Sequence, residues 1–116
     1  MGASAVREEK SSKSDKSTGI VIKLYIEICA SWGYGGKRDQ VLALIKELNN
    51  TGYDVDYVFE PMQGGNGEYY VYVDKGQKSI VFSNNKNHSG AIIGGSINST
   101  NVKKIVTKIT SLVGGN

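Results

Sequence analysis

The stretch Ile28-Cys-Ala-Ser-Trp-Gly-Tyr34 holds the one cysteine and the one tryptophan of a 116-residue chain, three positions apart. One cysteine excludes an internal disulfide, and one cysteine with one histidine, His88, excludes a Cys/His zinc cage. Redox chemistry at Cys29 therefore needs a second molecule. The thiol stands where a strand pattern gives way to glycines and then to a helix pattern. There, unsatisfied N–H groups and the positive end of the helix dipole favour a thiolate, and Lys37 and Arg38 add positive charge, so the pKa is expected below the free value of ~8.5. Such a thiolate attacks disulfides or sulfenic acids, or is capped by glutathione. A second reading is equally open from position alone: Cys29 falls in phase with a strand, and free cysteine is among the most buried residue types. Trp32 either packs over the sheet edge or makes a partner contact. Gly33, Gly35 and Gly36 allow the loop its turns, and Tyr34 is a surface aromatic that could line a groove. The run Gly33-Tyr-Gly-Gly-Lys-Arg38 is no phosphate loop, because that pattern needs glycine at Ser31 and Ser or Thr at Arg38. His88 lies among Asn, Ser and Gly with no orienting partner, and reads as exposed.

The elements that must position these residues follow from periodicity. Ile20, Ile22, Leu24, Ile26 and Ile28 alternate with Lys23, Tyr25 and Glu27, the period-2 signature of a strand with one buried side. Val41, Leu44, Ile45 and Leu48 fall at helical spacing, and the Asn49-Asn-Thr-Gly52 run supplies a C-terminal cap. Residues 53–60 alternate again as a second strand, joined to the first by the helical crossover. After the glycine-rich loop 62–67, residues 69–73 and 78–82 flank Asp74-Lys-Gly-Gln77 as an antiparallel hairpin. Residues 84–98 form a long polar connection in which Ala91-Ile-Ile93 packs down. Val102, Ile105, Val106, Ile109, Leu112 and Val113 then give a closing helix stopped by glycines. This order predicts an α/β fold of thioredoxin-like βαβ-ββα type, with a mixed four-stranded sheet and two helices. The domain is expected over residues 19–116. Residues 1–18, rich in Ser, Lys and Glu with a single valine, are expected to be a disordered tail.

Composition removes several functions. The net charge is +3, one unit from the tail and two from the body, where ten basic residues are scattered among eight acidic ones. No basic patch of the kind a phosphate backbone requires is visible, so nucleic acid is not an expected partner. No apolar run approaches the ~20 residues of a membrane span, the N-terminus lacks the apolar core of a secretory signal, and the single net charge of the tail is too small to hold a lipid surface. A myristoylation pattern beginning at Gly2 fails at Val6. Three Asn-x-Ser/Thr triplets, at Asn49, Asn87 and Asn98, mark polar surface. A soluble, cytoplasmic protein with no bound cofactor is expected.

The motif at Ile28–Tyr34, after a strand and before an amphipathic helix, resembles the redox motif of the selenoprotein W, T and H (Rdx) family. In that family the motif reads Cys-x-x-Sec or Cys-x-x-Cys, often followed by Gly-Tyr. The hairpin Glu68–Ser83 and the closing helix also fall where the family has them, so the resemblance covers nearly all of residues 19–113. It departs at Trp32, which occupies the position of the family's Sec or second Cys and cannot carry electrons through a disulfide or selenenylsulfide. Three explanations stand side by side: a Sec replaced or misread, since the two codons differ by one base; a protein working with one thiol through a glutathione mixed disulfide; or a fold kept as a binding module after redox function was lost.

The resemblance implies a thiol oxidoreductase or antioxidant with Cys29 as the thiol, position 32 as the resolving residue, and glutathione or a protein thiol as co-substrate. It implies further that Ser31, Gly33, Tyr34 and Pro61 border a groove for glutathione or a partner. Pro61 corresponds to a cis proline facing the motif, or else is a plain trans proline ending the second strand. The rival reading is a non-enzymatic protein-interaction module on the same fold.

Overall fold

In the computed structural model, which describes residues 5–31, 33–63, 66–85 and 88–114, the elements follow as β1 (Glu8–Ser12), β2 (Val21–Cys29), α1 (Tyr34–Asn50), β3 (Asp54–Met62), β4 (Tyr69–Asp74), β5 (Lys78–Ser83), β6 (Ile92–Ile93) and α2 (Val102–Val113). They form a mixed α/β structure whose single sheet has the order β1-β3-β2-β4-β5-β6. β2 is parallel to β3 and antiparallel to β4, β4 and β5 form the hairpin, and β6 lies parallel to β5. The sheet therefore has six strands, not the four expected. The four expected strands are its centre, and β1 and β6 extend it at the two edges.

The alternation along β2 decides which way the sheet faces. Ile22, Leu24, Ile26 and Ile28 are all buried, and the register sets them beside Val55, Tyr57 and Phe59 of β3 and Val73, Val71 and Tyr69 of β4. Val41, Leu44, Ile45 and Leu48 of α1 and Ile105 and Ile109 of α2 close over this face in one core. Each fully buried side chain of this size contributes roughly 1.5–3 kcal/mol. The opposite face carries Lys23, Tyr25 and Glu27 of β2, Asp56, Val58 and Glu60 of β3, and Tyr70 and Tyr72 of β4, and neither helix packs on it. Neither helix is long and apolar enough to cross a membrane.

The tail expected over residues 1–18 is corrected from Glu8 onward. Residues 8–12 pair antiparallel with residues 55–59 of β3, whose outer edge would otherwise be open. Apolar burial is not what holds this segment. Arg38 donates from Nε and Nη2 to the two Glu8 carboxylate oxygens at 2.7 and 3.1 Å. The Asn49 amide donates to the Ser12 and Tyr53 carbonyls, and its oxygen accepts from the Ser12 hydroxyl. Asp54 accepts from the Ser14 N–H at 2.8 Å and from the Ser17 hydroxyl at 2.9 Å, and the Thr18 N–H bonds the Gly52 carbonyl. The long connection packs down chiefly elsewhere than at Ala91-Ile-Ile93: Ile92 and Ile93 form the short edge strand β6 with Ile92 half-buried and Ile93 exposed, whereas Ile97 is buried with its N–H on the Tyr69 hydroxyl at 2.8 Å.

Two expectations follow from this polar seam. Asn49→Ala leaves the Ser12 and Tyr53 carbonyls without their donor and should cost about 1–3 kcal/mol in urea unfolding. Amide exchange should accelerate first over residues 8–14, and an even loss of protection across the sheet would contradict the assignment. The Ser14 N–H, then the Ser17 hydroxyl, hold the Asp54 carboxyl below its ordinary pKa against the opposing effect of burial. A carboxyl depressed in the folded state stabilises above its unfolded pKa of about 3.9, and that contribution is lost as pH falls through the folded value. Protection of residues 8–18 should thus persist at neutral pH and fade in acid, and Asp54→Asn should flatten that dependence.

Candidate functional site

Cys29 is the last residue of β2 and, by alternation, points to the face opposite Ile28 and the core. The strand end is held from both sides: the Cys29 N–H donates to the Glu68 carbonyl and the Ala30 N–H to the Met62 carbonyl, each at 2.9 Å. The side chain has no accessible surface. It is nonetheless in polar company. Its sulfur lies 2.8 Å from the Ser31 hydroxyl. The Cys29 pKa is lowered, first by that hydroxyl and then by the Ser31 backbone N–H, with smaller contributions from the Gly67 N–H and the Lys37 charge; burial acts in the opposite direction and is outweighed. The two expectations from position are thus both present in one residue, a covered thiol whose surroundings favour the anion.

The loop that makes this possible turns at Gly33. Its φ of 76° is left-handed, a conformation glycine adopts without strain, and it caps α1 with no side-chain hydrogen bond. The Lys37 N–H makes an early helical bond to the Gly33 carbonyl at 3.0 Å, so α1 begins three residues after Ser31. A Cβ on Gly33 would stand 2.8 Å from Lys37 Nζ, and one on Gly67 3.7 Å from it. The ammonium is therefore wedged between the two loops that flank the thiol.

Not every expected residue joins this group. Ser31 does, through its hydroxyl, and Gly33 does, as the turn. Tyr34 instead packs against the core from the first turn of α1, with its hydroxyl buried and without a hydrogen-bond partner among the described residues; burial and then Glu8 push its pKa up. Pro61 is a strand residue beside Ile28, its peptide bond is trans, and it is not in a loop facing the motif. Because the Met62 carbonyl points to β2, the nitrogen of Pro61 points to the β1 side, where pairing has ended at Phe59, so its missing N–H leaves no gap in the ladder. Trp32 lies outside the described residues. His88 is half-buried and not exposed as expected, its ring tilted at 46° to that of Tyr70 with centroids 4.5 Å apart.

Lys37 was legible as a cation near the thiol. Arg38 was not legible as the partner of Glu8, because the strand carrying Glu8 has no apolar signal. The Gly67 N–H was missed because a glycine-rich loop says nothing of where it folds. Among the described residues no group of three acidic, His or Cys side chains is placed to hold a metal ion. Compared with protein-family models, curated proteins and solved structures, the chain matches none of them.

Proposed function

We propose that the chain is a thiol redox protein of the selenoprotein W type on a thioredoxin-like arrangement, with Cys29 as its thiolate and glutathione or a protein thiol as second partner. The observation that carries this is the Ser31 hydroxyl 2.8 Å from the Cys29 sulfur at a strand-to-helix junction. The order β3-β2-β4-β5, with one parallel and two antiparallel pairings and both helices on one face, supports the same reading.

The chemistry is exchange. The Cys29 thiolate forms a bond to one sulfur of a disulfide such as oxidised glutathione, the old S–S bond breaks, and the other sulfur leaves as thiolate. A second thiol then attacks the mixed disulfide and returns Cys29. The chain has one cysteine, so that resolving thiol comes from outside, and Trp32 stands where the family places Sec or Cys. Ser31 and Gly67 stabilise the anion by donating to it, and its burial keeps bulk water away. Glutathione acts as co-substrate, not as a bound cofactor, and a thiol of this kind works in a reducing compartment such as the cytoplasm. The second reading, a non-enzymatic interaction module, is favoured by the complete burial of Cys29.

The pH dependence of Cys29 alkylation in the native protein separates the two readings. A redox thiol should react with a midpoint below that of a free cysteine and give a glutathione adduct that reduced glutathione removes. Ser31→Ala should move the profile to higher pH, and Lys37→Gln should move it the same way by less. A thiol that reacts only on unfolding leaves the interaction module.

A further inference from the structure

The sheet face that neither helix covers leads directly to Cys29. Tyr25 and Glu27 precede it on the same face of β2, Glu60 and Met62 lie alongside on β3, and Tyr70 and Tyr72 on β4. Glu27 and Glu60 are direct neighbours in the parallel register, a like-charge pairing that costs stability in a sheet. Tyr72 donates to Glu27 at 3.0 Å and Arg7 to Glu60 at 2.8 Å, but Glu27 has no cation of its own among the described residues.

The chain's own cations already show what this face accepts. Arg7 sits on Glu60, and Lys78 Nζ stands 3.8 Å from the centroid of the Tyr25 ring. Next to Tyr25 a pocket of about 350 Å³ opens, walled by Val58 and lined by Glu9, Asp56 and Asp74 together with Lys10 and Lys23. With Glu27 and Glu60, five carboxylates stand against Arg7, Lys10, Lys23 and Lys78, although the whole chain carries a net charge of +3. This face is the negative side of a positive molecule.

We propose that this face docks an extended, arginine- or lysine-bearing segment of a protein substrate and so presents that substrate's disulfide to Cys29. The inference rests on the thiol reading above and selects, of its two partners, the protein over the anionic glutathione. Strand spacing sets the register. Glu27 is two residues from Cys29 and Tyr25 four, about 3.3 Å per residue, so cations two and four residues before the reacting cysteine meet them. In the step itself the Cys29 thiolate bonds to the substrate's cysteine sulfur, the substrate disulfide breaks, and its other sulfur leaves as thiolate with the electron pair.

The probe is the peptide acetyl-Arg-Ser-Arg-Ser-Cys-Ser-amide, its cysteine joined to nitrothiobenzoate, with a twin in which Glu replaces both Arg. Release of the coloured aromatic thiolate reports the rate. At low ionic strength the arginine peptide should react about tenfold faster than its twin, and the ratio should collapse at high salt. Glu27→Gln with Glu60→Gln should bring the ratio towards one, while Asp39→Asn on the helix side should leave it alone. Equal rates, or a faster glutamate peptide, would overturn the docking and leave the thiol intact. If neither peptide reacts with the folded protein, the thiol reading fails. The docking is then decided by the all-serine arginine peptide on Cys29→Ser, through resonance shifts confined to Tyr25, Glu27, Glu60 and Tyr72. Absence of those shifts overturns it too.

Discussion

Ile28 and Cys29 are neighbours in the chain and lie on opposite faces of the sheet, and that parity governs the rest of the molecule. The even positions of β2 from Ile22 to Ile28 are wholly apolar and buried, so both helices must close on them. The odd positions are then left to the other face, and the thiol ends that row. It is not part of the hydrophobic core cluster, and its polar neighbours are Ser31, before α1, and Gly67, before β4. A covered position on the core side would surround the sulfur with carbon and raise its pKa. On this side the sulfur meets the Ser31 hydroxyl and backbone N–H groups, which outweigh burial.

The placement also explains how a fully covered thiol can have its pKa lowered. Moving a thiolate out of water is costly unless donors replace the lost hydration. Ser31 supplies a hydroxyl and an N–H, Gly67 an N–H, and Lys37 a charge reaching between the loops. All come from short segments pinned at their ends, by the Ala30–Met62 and Cys29–Glu68 hydrogen bonds on one side and by the first turn of α1 on the other.

What the sequence made legible follows from what kind of force holds each part. Alternation in β2, the helical stripe Val102–Val113 and the Asp74–Gly76 turn, where Gly76 has a φ of 92° and its N–H bonds the Asp74 side chain, all announce themselves within a few residues. β1 does not. Its sequence, Glu-Glu-Lys-Ser-Ser, buries almost nothing, and its side-chain partners Arg38 and Asn49 lie 30 and 37 residues away, with β3 farther still. A segment held by backbone pairing and long-range polar contacts is indistinguishable by composition from a disordered one. Pro61 shows the same limit in reverse, since a proline that reads as a strand end is tolerated inside β3 only because β1 has already stopped at Phe59.

The strand that composition could not reveal is also the one that sets the charge around the site. Glu8 takes Arg38 in a two-pronged ion pair, and that guanidinium also stands 5.2 Å from the centroid of the Phe59 ring. The cation next to Lys37 in sequence is thereby directed to the sheet edge, and of the two only Lys37 acts on the thiol. Arg7, just before β1, crosses to the open face and holds Glu60. Removing the strand would release a guanidinium at the start of α1 and uncover a carboxylate beside Glu27, changing the electrostatics on both sides of Cys29 without touching it. β1 is therefore part of the site's electrostatic frame, although it contributes no atom to the sulfur.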